Sequence, residues 1–364
     1  MNKLFIRVSL SAFLLASIAN GVVAENPGME ERFAQPTVSA VNFNDHETRA
    51  AVDFSQLAYD AYHAKDGSDK DAEVTFKTRI DQLMNEGYTV STFEGETGHI
   101  VLPLLSNFFV RKTTIGVFAQ KGDDVVIAFR GTDKGSVDWL TNFYILNGYL
   151  QKSRFLGEEK GGVHAGYNLV FESYKDQLTK MYLDAVAKGA KNIVIVGHSL
   201  GGAMTQLAGL YLAKLAKYKG HEVTIKIGNE NAPRVGSPNF VQKLNDEVGV
   251  ANIVRMTKGH HEAVASAIPG IAGFKHAGTN VVVPTEGWNK LKDHGLSSFK
   301  NGEAENAVKT HNANPVKFPG VRDRIRSGLS AFSEGVKNAG QKAKETFVSG
   351  FQSFRNGVAG LVGY

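Results

Sequence analysis

Apolar residues along the chain follow two rhythms. Between His46 and Lys65, Ala50, Phe54, Leu57, Ala58, Ala61 and Tyr62 recur three or four positions apart, which predicts a helix with one buried face. The acidic stretch 66–73 breaks that rhythm. It lacks the Asp/Gly order of a calcium-binding loop, so a solvated turn is predicted there. Beyond it the apolar residues gather into short unbroken runs at 114–120, 124–130, 192–196, 223–227 and 252–256. The second of these is apolar nearly throughout, as a strand covered on both faces would be. Helix-like stretches lie between the runs, the clearest at 201–218. Strands alternating with helices predict an α/β fold with a mostly parallel central sheet flanked by helices. No internal repeat is present.

The two ends follow other patterns. Lys3 and Arg7 precede an apolar run over 8–18, and Val22 and Ala24 occupy the −3 and −1 positions of a cut after Ala24. That is the layout of a secretory signal peptide, and the run is short of the roughly 20 apolar residues of a membrane span. Residues 1–24 are therefore expected to be removed, leaving a secreted or periplasmic protein. Residues 25–45 mix Pro, Asn, Glu and Gly as a leader would. From 316 to 364, Ile325, Leu329, Phe332 and Val336, then Phe347, Phe351, Phe354, Val358 and Leu361, recur at near-helical spacing interrupted by Gly. This basic helical extension suits either contact with an anionic membrane or docking of its Phe stripe on the body.

Composition narrows the function classes. With 364 residues, 42% hydrophobic and 21% charged, the chain has ample material for a globular core. The absence of cysteine excludes disulfides, thiol nucleophiles and thiolate metal sites. The net charge of +5 divides into +2 over 1–24, +5 over 316–364 and −2 over 25–315. The body is thus not basic, which argues against nucleic acid as a partner.

Candidate chemistry centres on Val194-Ile-Val-Gly197-His198-Ser199-Leu200-Gly201-Gly202. An apolar strand here runs into G-x-S-x-G and then a helix. The turn needed to thrust Ser199 above the sheet leaves no room for Cβ atoms two residues to either side. A serine nucleophile needs a base, and the order Ser, acid, His leaves His221, His260, His261, His276, His294 and His311. Among these, His294 stands in a late, turn-like context suited to a loop above the sheet. An oxyanion needs backbone N–H groups aimed at it. Leu200 supplies one, and the Phe129-Arg-Gly131-Thr132 turn after the strand over 124–130 is the candidate for the second, with the Thr132 hydroxyl in reach.

These pieces resemble the class 3 lipases, the fungal lipase-like branch of the α/β-hydrolases, from about residue 115 to 299. Val125-Val-Ile-Ala-Phe-Arg-Gly-Thr132 is similar to the family's strand and oxyanion turn, with Asp138-Trp-Leu140 where the lid begins. Val163-His-Ala-Gly-Tyr167, the elbow, Asn231-Ala-Pro-Arg-Val-Gly236, Phe274-Lys-His-Ala-Gly278 (as the strand before the final loop) and Asp293-His294 with Gly-Leu-Ser-Ser-Phe299 follow in family order. The resemblance implies an α/β-hydrolase domain over 25–315 and assigns the base to His294. The family's acidic Asp is missing, and its acid-x-Val spacing falls on Glu262 if one residue is inserted. Asp293 adjoins His294 and Asp246 precedes the relevant strand, so both are poorer candidates. His261-Glu262 opens an H-E-x-x-H zinc pattern, but position 265 is Ala, so no metal is expected.

The resemblance implies a cofactor-free lipid ester hydrolase, of triacylglycerol lipase or phospholipase A1 type, working at a lipid–water interface. Ser199 would attack, His294 would take the proton, Glu262 would steady the imidazolium, and Thr132 and Leu200 would hold the oxyanion. The apolar stretch 133–150 would be a lid or acyl-groove wall, or an ordinary packed helix. The alternative is a non-catalytic lipid-binding protein on the same scaffold, motivated by the missing Asp.

Overall fold

The rhythm after His46 is realised as helix α1 (Asp45–Asp66), started by a reciprocal cap. Asn44 Oδ1 accepts the Glu47 N–H at 2.8 Å, and Glu47 Oε2 accepts the Asn44 N–H at 3.0 Å. The computed structural model describes residues 40–66, 70–97, 110–132, 152–154, 162–259, 274–285, 294–299 and 302–313. The signal segment 1–24, the stretch 133–150, Glu262, Asp293 and the extension 316–364 lie outside the described residues.

Helix α2 (Lys70–Asn85) corrects the solvated turn expected over 66–73. Asp71 and Glu73 fall in its first turn, where carboxylates complement the positive end of the helix dipole. Phe76, Ile80 and Leu83 pack on the α1 side without being fully buried, while Val74 and Met84 stay exposed. So weak an apolar face leaves little periodic signal.

Strands β1 (Thr89–Thr97), β2 (Arg111–Lys121) and β3 (Asp124–Phe129) follow. The short pair β4 (Lys152–Arg154) and β5 (Gly162–His164) leads into helix α3 (Ala165–Ala187). Strand β6 (Asn192–His198), helix α4 (Leu200–Lys219), strand β7 (Thr224–Glu230), helix α5 (Pro238–Val248) and strand β8 (Ile253–Lys258) then alternate. Strand β9 (Thr279–Val283), a 3₁₀ turn (Leu296–Phe299) and helix α6 (Glu303–Ala313) complete the described chain.

Among the described residues, seven strands form one sheet in the order β1-β2-β3-β6-β7-β8-β9. The first two pairings are antiparallel and all those from β3 to β9 are parallel. The α/β class with a mostly parallel sheet is therefore as the sequence indicates. Successive strand residues face opposite layers. Val125, Ile127, Ile193, Ile195, Ile225 and Ile227 join the core with α3, α4 and α5. Val126, Ala128, Val194, Val196, Val254 and Met256 join the core with α1 and α6. Each fully buried Val or Ile contributes about 1.5–3 kcal/mol, so covering both faces explains why these runs contain no polar alternation.

Residues 274–278 are not the strand before the final loop. Lys275 makes a single bridge to Gly236, and the chain turns at Gly278 (φ 66°), so the strand begins at Thr279. The cause is steric: a Cβ on Gly278 would stand 2.3 Å from the Ile253 carbonyl oxygen, so this segment crosses the start of β8 before pairing with it.

Candidate active site

Strand β6 ends at His198, and Ser199 turns the chain with φ 56° and ψ −120° before α4 begins. A non-glycine residue in that region costs on the order of 1–3 kcal/mol, and the surroundings must enforce it. Here the Ser199 N–H donates to the Glu230 carbonyl oxygen at 2.9 Å, so the adjacent strand end holds the turn. A Cβ on Gly201 would lie 2.3 Å from the Phe129 carbonyl oxygen, so the first turn of α4 rests directly on the end of β3. Gly131, in the turn after β3, is equally confined: its Cβ would meet the Tyr59 hydroxyl at 2.3 Å and Ser199 Cβ at 3.0 Å.

His294 Nε2 lies 3.0 Å from Ser199 Oγ, although 95 residues separate them. With Nε2 unprotonated, the Ser199 hydroxyl donates to it, which is the arrangement a general base needs. The main chain of His294 is held as well. Its carbonyl oxygen accepts from His198 Nε2 at 2.6 Å and from Asn231 Nδ2 at 3.1 Å. A carbonyl only accepts, so Nε2 of His198 carries the proton, and Nδ1 then accepts from the Tyr59 hydroxyl at 2.9 Å. Burial is the main reason the His198 pKa falls to about 3; the neighbouring His294 lowers it further, and its bond to the His294 carbonyl opposes the shift.

A buried polar layer under α1 surrounds these contacts. Ser55 and Tyr59 stand one helical turn apart on α1, and His198 and Glu230 are register partners on β6 and β7. Ser55 Oγ donates to Glu230 Oε2 at 3.1 Å while Tyr59 meets His198. Burial raises the Glu230 carboxyl well above the usual range. Asn231 takes a left-handed conformation (φ 49°), and its Oδ1 accepts the Lys258 N–H at 3.1 Å. His198 and Asn231 lie within the motifs quoted above, but Ser55 and Tyr59 carried no sequence signal beyond being polar positions on a helix.

The candidate oxyanion side is held by Arg130. Its guanidinium donates to the carbonyl oxygens of Thr114 (2.7 Å) and Gly131 (2.8 Å) and to Thr113 Oγ1 (2.9 Å), and lies 3.8 Å from the Tyr62 ring centroid. Thr132 follows with a buried Oγ1 that has no hydrogen-bond partner among the described residues. Leu200 opens α4, where first-turn N–H groups have no intrahelical acceptor. The structure thus brings Ser199, Leu200, His294 and the Gly131-Thr132 turn together. Asp246 lies exposed on α5, and His221 is engaged by the Tyr182 hydroxyl at 3.0 Å. Among the described residues no group of three or more His, Asp or Glu could hold a metal ion, and no helix is long and apolar enough to cross a membrane.

Residues 126–266 match the model of the lipase (class 3) family, from within β3 past the elbow. Over that segment the chain is similar to the class 3 lipases. The chain is 24% identical over 278 residues to phospholipase A1-Igamma3, chloroplastic, of Arabidopsis thaliana, covering 63% of this chain and 51% of that protein. It is 27% identical over 193 residues to secreted mono- and diacylglycerol lipase 1 of Fusarium solani, covering 52% and 53%. The chain spans about half the length of these curated relatives. Among solved structures, lipase II from Rhizopus niveus aligns with a TM-score of 0.47 at 20% identity, covering 67% of this chain and 83% of that one.

Other motifs of the matched segment serve its architecture. The His164 N–H donates to the Val235 carbonyl at 2.9 Å, the Ser237 N–H to Gly162 at 2.8 Å, and Gly236 bridges both Val163 and Lys275. Burial lowers the His164 pKa to about 4, and its ring lies 4.3 Å from that of Tyr167.

These buried histidines make the fold sensitive to acid. His164 and His198 stay neutral in the fold, so their contribution is complete above pH 6.5 and is lost as the pH falls toward about 4 and about 3. Each lowers stability by up to about 1.4 kcal/mol per pH unit, and His311, also depressed by burial, acts in the same direction. Glu230 runs oppositely, because its raised pKa favours the fold as the pH falls to 4.5. Urea unfolding between pH 7 and 4 is expected to show stability falling below pH 6 and falling more steeply below 4.5, where the Glu230 offset ends. A flat profile would contradict this.

Proposed function

We propose that this protein is a class 3 lipase and hydrolyses carboxylic esters of lipids through a serine acyl-enzyme. The observation that carries the reading is the 3.0 Å contact between His294 Nε2 and Ser199 Oγ, made on a strained elbow. Ser199 Oγ attacks the ester carbonyl as its proton passes to His294 Nε2, and the N–H groups of Thr132 and Leu200 receive the negative charge. The carbon–oxygen bond to the alcohol breaks as His294 returns the proton to it. Water, deprotonated by His294, then releases the fatty acid and restores Ser199. No cofactor enters these steps.

Glu262 is the proposed acid that orients the imidazolium. Glu262→Ala is expected to lower kcat by roughly 10²–10⁴-fold with little change in KM, as loss of a triad acid does. A variant retaining near-full rate would remove Glu262 from the mechanism.

The two curated relatives are named as a phospholipase A1 and a mono- and diacylglycerol lipase, so acyl glycerolipids are the proposed substrate class. Cleavage after Ala24 would release a secreted or periplasmic enzyme. Residues 133–150 are proposed to line the acyl groove as a lid, and the basic stretch 316–364 to favour anionic lipid surfaces.

The test is direct. The purified protein should hydrolyse a short-chain nitrophenyl ester, and a fluorophosphonate should add to Ser199, read by peptide mass. Comparison of triglyceride with phospholipid micelles then ranks the head groups. If the protein turns over none of these and Ser199 stays unlabelled, the reading fails and a non-catalytic lipid-binding scaffold replaces it.

A further inference from the structure

We infer that His198, braced by Tyr59, is a positioning residue that holds the main chain of His294 and thereby sets the Ser199–His294 separation. The inference rests on the proposed roles of Ser199 and His294. It starts from a closed circuit of contacts. Ser199 Oγ meets the His294 ring at 3.0 Å, the His294 carbonyl meets His198 Nε2 at 2.6 Å, and His198 is covalently joined to Ser199. The nucleophile and the donor that anchors its base are therefore consecutive residues at one strand end. A shift of the elbow carries both, and the reacting distance is preserved.

Both ends of this clamp are rigid. His198 and Asn231 both donate to the His294 carbonyl, matching its two lone pairs. Asn231 is fixed by its own backbone, its N–H donating to the Met256 carbonyl at 2.8 Å, and by the Lys258 N–H on its side chain. His198 is buried against α1, with the Tyr59 hydroxyl at Nδ1 and the ring centroids of His198 and His294 4.9 Å apart. The groups around it are Tyr59, Glu230 with its Ser55 donor, Asn231 and His294. A donor at this place must also be uncharged, since a cation beside His294 would oppose formation of the imidazolium. Burial keeps His198 neutral, whereas an arginine would stay charged.

His294 sits in a turn rather than in a helix or strand, so its ring position depends on where the main chain is held. A displacement of about 1 Å can lower a rate about 10²-fold. His198→Phe removes the donor while filling the space, and is expected to lower kcat on a short-chain ester by about 10–100-fold with KM within about twofold. His198→Gln places an amide N–H at similar reach and should recover to within about fivefold of wild type. Tyr59→Phe should lose about three- to tenfold in kcat.

A structural role would lower the Phe and Gln variants together, in step with their thermal midpoints. That result, or wild-type kcat in His198→Phe, overturns the inference. The wild-type protein with ¹⁵N-labelled imidazoles supplies a test that does not depend on turnover or on the variants folding. His198 should appear neutral with its proton on Nε2 from pH 8 to 5. A proton on Nδ1, or a cation in that range, overturns the clamp. Failure of the hydrolase reading looks different: no turnover and no phosphonate on Ser199 in the wild-type protein, whatever the tautomer of His198.

Discussion

Ser199→Ala is expected to lower kcat for a short-chain nitrophenyl ester by roughly 10⁴-fold or more, with no covalent phosphonate adduct. The effect is large because the hydroxyl is the atom that forms the acyl bond, and Ser199 carries the one hydroxyl of the elbow sequence 197–201. The fold should barely respond. The substituted alanine would keep the same left-handed backbone, and the loss is one hydrogen bond to His294 Nε2, about 1 kcal/mol. Circular dichroism and a thermal scan beside the rate measurement separate the two quantities. Retained turnover with an intact fold would place the nucleophile elsewhere.

Gly201→Ala is the second large expectation, and here space rather than chemistry decides. The new methyl would stand 2.3 Å from the Phe129 carbonyl oxygen and 2.7 Å from that of Arg130, both backbone atoms at the end of β3. Neither can turn aside as a side-chain tip can. The first turn of α4 must therefore retreat from β3, pulling the Leu200 N–H away from the Gly131-Thr132 turn. Overpacking of this kind typically costs about 1–3 kcal/mol and occasionally more. Loss of an aligned oxyanion donor lowers kcat by about 10²–10³-fold. Gly220→Ala is the control: Gly220 caps α4 at φ 67° with nothing within 4 Å of its Cβ position, so only the left-handed conformation is penalised, by about 1 kcal/mol. Full activity in Gly201→Ala would show that α4 can move off β3 without disturbing the site.

The contrast between these glycines shows what could be read from one dimension. Gly197 and Gly201 are visible in the chain because a strand-to-helix turn around Ser199 demands them locally. The parallel strands are visible for a related reason: burial on both faces leaves continuous apolar runs such as 125–129 and 193–196. Helix α2 was hidden because its half-buried Phe76, Ile80 and Leu83 are sparse, and β1 because only Phe93 and Gly95 of its nine residues are buried. The strand expected over 274–278 rested on the resemblance, and in its place stand a single bridge at Lys275 and the turn at Gly278 against Ile253.

The sequence by itself determined the α/β class, the elbow and its serine, and the turn after β3, because each depends on neighbours within a few residues. Resemblance then singled out His294 from six histidines. Only the tertiary structure decided what supports that histidine: Tyr59 of α1 on His198, His198 and Asn231 on the His294 carbonyl, and Ser55 on a buried Glu230. Those pairs span from 63 to 175 residues of chain. A hydrogen bond between distant residues leaves no periodicity along the chain, since its partners need only suitable atoms and a fold that brings them within about 3 Å.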